Sequence, residues 1–186
     1  MKKLITCLFI LLSVHIYSQS GAALSFNGTG SQVDLGNSIN TVLTALNTIT
    51  VEAWVYPTST SSLGVICGNY DNPTAPEMQF LLRRDADTYT FWVDDGSSFK
   101  NVSSSPASVT LNTWQHVAGV WDGAQLYIYI NGVLQSTTTG VTGSNFLATS
   151  NDIIIGNDAS GESFAGSIDE LRIWSRPLCA NDITNG

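Results

Sequence analysis

Apolar and polar residues alternate along most of this chain, with the two-residue period of extended strands. Residues 49–56 are the clearest stretch. Ile49, Val51, Ala53 and Val55 fall on one face and Thr50, Glu52, Trp54 and Tyr56 on the other, before Pro57 ends the run. The same pattern predicts strands over 23–26, 32–35, 64–69, 78–83, 88–93, 99–102, 114–121, 125–130, 133–139, 152–156 and 167–174, nearly all bounded by turn residues. Asn131-Gly132 between two such runs is a strong hairpin signal, because both positions accept positive φ. One segment has helical spacing, Ile39, Val42, Leu43 and Leu46, but it covers barely two turns and is expected as a loop or 3-10 turn at the rim. Residues 178–183 are expected to begin a short helical turn. Many short strands with no long helix between them predict an all-β protein, two antiparallel sheets packed as a sandwich.

The first residues break this pattern. Lys2 and Lys3 precede an apolar run from Leu4 to Tyr17, 14 residues long, which gives way to SQSG. A basic start, a short apolar segment and small polar residues read as a signal peptide over 1–20, leaving one domain over 21–186. A membrane crossing wants ~20 apolar residues, so stable membrane insertion after processing is not expected, and the protein is expected to be secreted or held at the cell surface. Loss of the two lysines takes the formal charge from −8 to −10. Such a surface repels nucleic acid and anionic lipid, and it offers carboxylates to calcium outside the cell. All five tryptophans follow residue 20, so a sizeable core is within reach without disulfides. Cys67 and Cys179 remain after processing; export permits their pairing, and two free thiols are the other outcome.

Catalytic chemistry finds little support. Glycoside hydrolysis needs two carboxylates facing one cleft, about 5–9 Å apart. Asp169 and Glu170 are adjacent and point to opposite faces of a strand, Asp94 and Asp95 share a turn, and Glu52 has Trp54 and Tyr56 where a paired acid would stand. His116 is the single histidine after residue 20, without neighbouring metal ligands, and is expected to hydrogen-bond across the sheet. The loop YDNPTAPE offers Tyr70, Asp71, Asn72 and Glu77 as candidate ligand-binding residues, or as an ordinary polar turn. Trp92 and Phe164 are further candidates for an aromatic platform, whereas Trp54, Trp121 and Trp174 are expected in the core. Strict alternation places Asp169 on the face of Leu171 and Ile173, where a carboxylate is costly unless neutralised.

Five segments, taken in order, carry a resemblance: ALSFNGTGSQVDLG, ITVEAWVYP, WQHVAGVWDG, LYIYINGVLQ and IIIGNDASGESFAGSIDELRIWSRPL. Together they resemble the laminin-G-like and pentraxin-like jelly-roll domains of the concanavalin A-like lectin/glucanase superfamily. The resemblance implies a two-sheet antiparallel jelly roll with its first and last strands as neighbours. It also implies a non-catalytic binding or adhesion module for glycans or cell-surface proteins, with a structural spacer or a glycoside hydrolase (or its accessory domain) as alternatives. Many such domains hold a structural calcium ion. Asp169 matches the family's acidic position, and the neighbouring turn would bring Asn27 with the carbonyls of Gly28 to Gly30. Asn27 stands where the family often has Asp, which weakens a charge-based site.

Overall fold

The computed structural model describes residues 22–61, 63–70, 78–94, 98–141 and 145–185. Among the described residues twelve strands form two six-stranded sheets. Sheet A has the order β1 (Leu24–Asn27), β12 (Ala165–Trp174), β3 (Ile49–Pro57), β8 (Gln115–Trp121), β9 (Gln125–Ile130), β10 (Val133–Thr139). Sheet B has the order β2 (Val33–Asp34), β11 (Ile154–Ile155), β4 (Gly64–Gly68), β5 (Phe80–Asp85), β6 (Thr88–Asp94), β7 (Phe99–Ser103). All pairings are antiparallel, and the first strand pairs with the last, Leu24 opposite Ile168 and Asn27 opposite Ala165. This is the expected jelly-roll sandwich.

The core lies between the sheets and follows the alternation read from the sequence. Ile49, Val51, Ala53 and Val55 of β3 face Phe80 and Leu82 of β5 and Phe91 and Val93 of β6, and all eight are fully buried. Strand β8 meets this interface at Gly119, where any side chain would run into the Phe91 ring. Tyr89 of β6 donates its hydroxyl to Gln115 Oε1 of β8 at 3.0 Å, which ties the sheets with a buried polar contact. The apolar segment near residue 40 forms a single turn, α1 (Asn40–Leu43), that inserts Leu43 into the core.

After Trp174 the chain turns back across the outside of sheet A. Leu178 and, from α2 (Ala180–Asn185), Ile183 cover Ala118, Val120 and Tyr129. This explains why Cys67 and Cys179 are both free, against the disulfide that export permitted. Cys67 is fully buried between the sheets, and burial pushes its thiol up to about 12. Cys179 is exposed beyond the far side of sheet A, just before α2. A whole sheet separates the two sulfurs.

Candidate functional site

Two clusters of charged and aromatic side chains occupy the outer faces of the two sheets. On sheet B, pleating turns Leu81, Arg83 and Asp85 of β5 and Thr90 and Trp92 of β6 outward, since the residues between them are buried, the charged Arg84 among them. Register sets Arg83 opposite Thr90 and Leu81 opposite Trp92. The Arg83 guanidinium lies over the Trp92 ring, 5.5 Å from its centroid. Its Nη1 meets Glu162 Oε2 at 2.7 Å, and its Nη2 is 3.5 Å from Asp85 Oδ2.

Glu162 is presented by the loop between β11 and β12, and that loop is tightly made. Asp158 Oδ1 accepts the N–H groups of Ser160 and Glu162, both at 2.9 Å. The Glu162 carbonyl accepts Val65 N–H at 2.9 Å, which pins the loop to the edge of β4. Gly156 opens the loop with φ of 84° and leaves the Phe26 ring space that a side chain would take. Burial raises the Glu162 carboxyl above its ordinary range; Arg83 opposes the rise and the nearby Asp158 carboxylate adds to it. Three buried polar atoms of this patch have no hydrogen-bond partner: Arg83 Nε, Thr90 Oγ1 and Trp92 Nε1. Asp158 Oδ2 is in the same condition beside them.

Tyr70 is half-buried and, with Trp92, packs against Val65, Met78 and Leu81 on this same face. Asp71, Asn72 and Glu77, the rest of the loop candidates, lie outside the described residues. Phe164, expected as a platform, is instead core, buried edge-on against Phe26 with ring centroids 6.5 Å apart. Trp92 is outward-facing, but one side of its ring is occupied by Arg83, so it serves to fix the guanidinium.

On sheet A the outward row of β3 carries Glu52, Trp54 and Tyr56, matched on β8 by Ala118 opposite Glu52 and His116 opposite Trp54. Glu52 is only 2% exposed. Its Oε1 accepts Trp174 Nε1–H at 2.9 Å and stands 3.8 Å from Arg172 Nη1, while its buried Oε2 has no hydrogen-bond partner and lies 3.4 Å from His116 Nε2. Burial alone would raise this carboxyl, but His116, Trp174 and Arg172 together outweigh it and hold it below its ordinary value. The histidine does reach across the sheet, and its partner is this carboxylate. A cleft of about 400 Å³ opens beside Glu52, lined by Arg172, Trp174, Arg176, Leu178 and Asp182. The ion pair of Arg176 with Asp182 (3.0 Å) stands at this cleft, and Arg176 also covers the Trp174 ring. Of the three tryptophans expected in the core only Trp121 is there; Trp54 and Trp174 pave this outer face. Sequence spacing could not find the Glu52 cluster, since its members come from three strands that are distant in the chain.

The expected calcium ligands are not brought together. Asn27 pairs with Ala165, four residues along β12 from Asp169, which sets the turn and the acid about 13 Å apart. The turn is satisfied within the fold: Asn27 Oδ1 accepts Thr29 N–H at 2.9 Å, Gly28 N–H reaches the Phe164 carbonyl at 3.0 Å and Gly30 N–H reaches Ser163 Oγ at 2.8 Å. Asp169 does not share the core face with Leu171 and Ile173. Glu170 adopts φ of 49° in a β-bulge between Asp169 and Arg172, so Ile168, Leu171 and Ile173 face inward and Asp169 faces out. Its Oδ1 accepts the Glu170 N–H at 2.8 Å. Among the described residues no group of three or more His, Cys, Asp or Glu side chains is placed to hold a metal ion, and the Asn27 and Asp169 set does not fit one.

Several solved structures share this architecture. The Ruminococcus gnavus IT-sialidase CBM40 bound to α2,3-sialyllactose matches with a TM-score of 0.71 at 19% identity, over 88% of this chain and 95% of that one. A SAP-like pentraxin from Limulus polyphemus matches at 0.60 with 22% identity, over 86% and 78%. The Botulinum neurotoxin serotype D binding domain matches at 0.64 with 15% identity, over 86% of this chain and 40% of that one. At such identities the likeness establishes the fold. Among curated proteins none matches the chain in sequence. The family model described as Concanavalin A-like lectin/glucanases superfamily matches residues 27–184, and the chain belongs to that superfamily.

Proposed function

We propose that this is an exported, non-catalytic binding module that recognises glycans on the outer face of sheet B, around Arg83. The observation that carries the proposal is the set of buried donors without partners, Arg83 Nε, Trp92 Nε1 and Thr90 Oγ1, gathered on one face beside a fixed guanidinium–carboxylate pair. Buried polar atoms are nearly always paired, so a cluster of unpaired ones just beneath one face points to hydrogen bonds completed by water or by small shifts when a ligand binds. A guanidinium beside a carboxylate presents a donor next to an acceptor, which suits adjacent sugar hydroxyls that both give and take hydrogen bonds. Several solved relatives of this fold carry glycan-binding names, the sialyllactose complex among them, which accords with the proposal. The acid-rich composition and the signal-like segment favour a role outside the cell.

Calcium has no part in this proposal. The test is a glycan array followed by titration calorimetry, run with calcium and with chelator, on wild type, Trp92→Ala and Thr90→Val. Wild type should bind equally in both solutions. Trp92→Ala, which releases Arg83, should lower affinity at least tenfold while the β-type circular dichroism is retained. Thr90→Val should leave stability unchanged or slightly raised, because its buried hydroxyl has no partner to lose, and should weaken binding. Full binding by Trp92→Ala would place the ligand elsewhere.

A further inference from the structure

Resting on the sheet B site proposed above, we infer that its ligand is a neutral, hydroxyl-rich glycan, and that sugars bearing a carboxylate or sulfate are rejected. An anionic sugar needs a cation whose charge is free. Arg83 is the basic side chain of this patch, and it is already engaged by Glu162 at 2.7 Å and by Asp85 at 3.5 Å. Both Arg83 and Glu162 are largely shielded from water, 14% and 17% exposed, so their contact is little screened. Asp158 is close enough to Glu162 to raise its carboxyl, and its buried Oδ2 has no hydrogen-bond partner, so it adds to the negative charge beside the ion pair. The outward guanidinium of Arg83 thus already holds two carboxylates, and a third, Asp158, lies beside one of them; the inward Arg84 next to it is fully buried and is not offered to a ligand.

Displacement of Glu162 by an incoming carboxylate is opposed by the loop that holds it. The Glu162 backbone is fixed at both ends, its N–H to Asp158 Oδ1 and its carbonyl to Val65 N–H. With its backbone held there, Glu162 leaves Arg83 only by side-chain rotation that gives up a 2.7 Å ion pair shielded from water, so an acidic ligand competes with a carboxylate already in place. A neutral glycan meets no such conflict. Its hydroxyls can accept from the exposed edge of the Arg83 guanidinium and donate to the carboxylates, with the ion pair left intact.

Matched pairs of oligosaccharides test this, each pair sharing one core and differing only in a terminal sialic or uronic acid. Wild type should prefer the neutral member at least tenfold across the pairs it binds. Glu162→Gln keeps the shape and removes the charge, and should shift that ratio toward the acidic member at least fivefold. Asp85→Asn, at the more exposed rim, should shift it in the same direction by less, and serves where Glu162→Gln folds poorly. Equal or tighter binding of the acidic member by wild type overturns the inference while leaving glycan recognition in place. A ratio unmoved by both substitutions overturns it as well. Binding to neither member of any pair sinks the glycan proposal, and this preference with it.

Discussion

On sheet A a carboxylate, Glu52, lies among Trp174, His116 and Arg172; on sheet B a guanidinium, Arg83, lies among Trp92, Glu162 and Asp85. The ingredients are alike, an ion pair set against an indole on a rigid sheet. The Glu52 cluster joins strands β12, β3 and β8, and its indole donates to the carboxylate. The chain then folds back over it, and Thr50 fastens that return: its hydroxyl donates to the Arg176 carbonyl at 3.0 Å and accepts Leu178 N–H at 2.9 Å. On sheet B the indole N–H has no acceptor, the guanidinium keeps an unused N–H, and the opposing threonine hydroxyl is unpaired. Among the described residues of the sheet A cluster, the one buried side-chain atom without a hydrogen-bond partner is an acceptor, Glu52 Oε2, and it faces His116 at 3.4 Å. A cluster whose donors end on its own acceptors holds strands together. A cluster with donors left over is built for something that arrives.

The largest effect expected from this contrast is on stability, from sheet A. Glu52→Ala strands the part-buried Trp174 N–H, takes away the carboxylate beside His116 and removes the counter-charge of Arg172. Arg172 is 38% exposed and recovers part of its loss from water. The cost is about 2–4 kcal/mol, read as a lower urea midpoint with unchanged slope. The folded fraction should still bind glycan on sheet B. A loss under about 1 kcal/mol would mean that the Glu52 cluster is not a strand clamp.

Acid titration should separate the faces by sign, with a smaller effect. The Glu52 carboxyl is held below its ordinary 4.5 in the folded chain. Its contribution is therefore present above pH 4.5 and disappears as pH falls through the lower folded value. Glu162 is shifted the other way, above 4.5, so its protonated form favours folding below pH 4.5 and that contribution is lost as pH rises through the raised value. Thermal melting from pH 3 to 7 should show Glu52→Gln flattening the acid limb. Glu162→Gln should instead gain stability relative to wild type toward neutral pH. The same sign of change in both variants would break the distinction between the two faces.

Most of the fold was legible in the sequence because period-two alternation decides which side chains enter the core, as in β3 and β8. Legibility failed where that period slips. The bulge at Glu170 inserts one residue into β12, and everything before it changes face relative to a strict count from Ile173, so Asp169 was assigned to the wrong side. Residue type alone puts Trp54 and Trp174 in the core, although Trp54 alternates with core residues and lies outside. The Arg83 site was half legible. Trp92 and Tyr70 are aromatics beside turns, but Glu162 reaches Arg83 only through an edge contact with β4, and no local pattern encodes an edge contact.

The smallest expected effect is from the cysteines, and it probes the separation of the two faces. Cys67 is fully buried with its thiol pushed up to about 12, so almost no thiolate forms at neutral pH and none is accessible. Cys179 is exposed beside α2, on the sheet A side. In the folded 21–186 chain a maleimide should label one thiol quickly, and the second only on unfolding. Reductant should leave the melting temperature within about 1 °C, since no crosslink constrains the unfolded state. A bulky adduct on Cys179 crowds the Leu178 and Ile183 cover, and should lower stability by a fraction of a kcal/mol, roughly the range of a surface change. Glycan affinity should not move, because the Arg83 site lies across the full thickness of the sandwich. Lost affinity in the labelled protein would mean that the ligand reaches the sheet A side, and the assignment of binding to sheet B would fall.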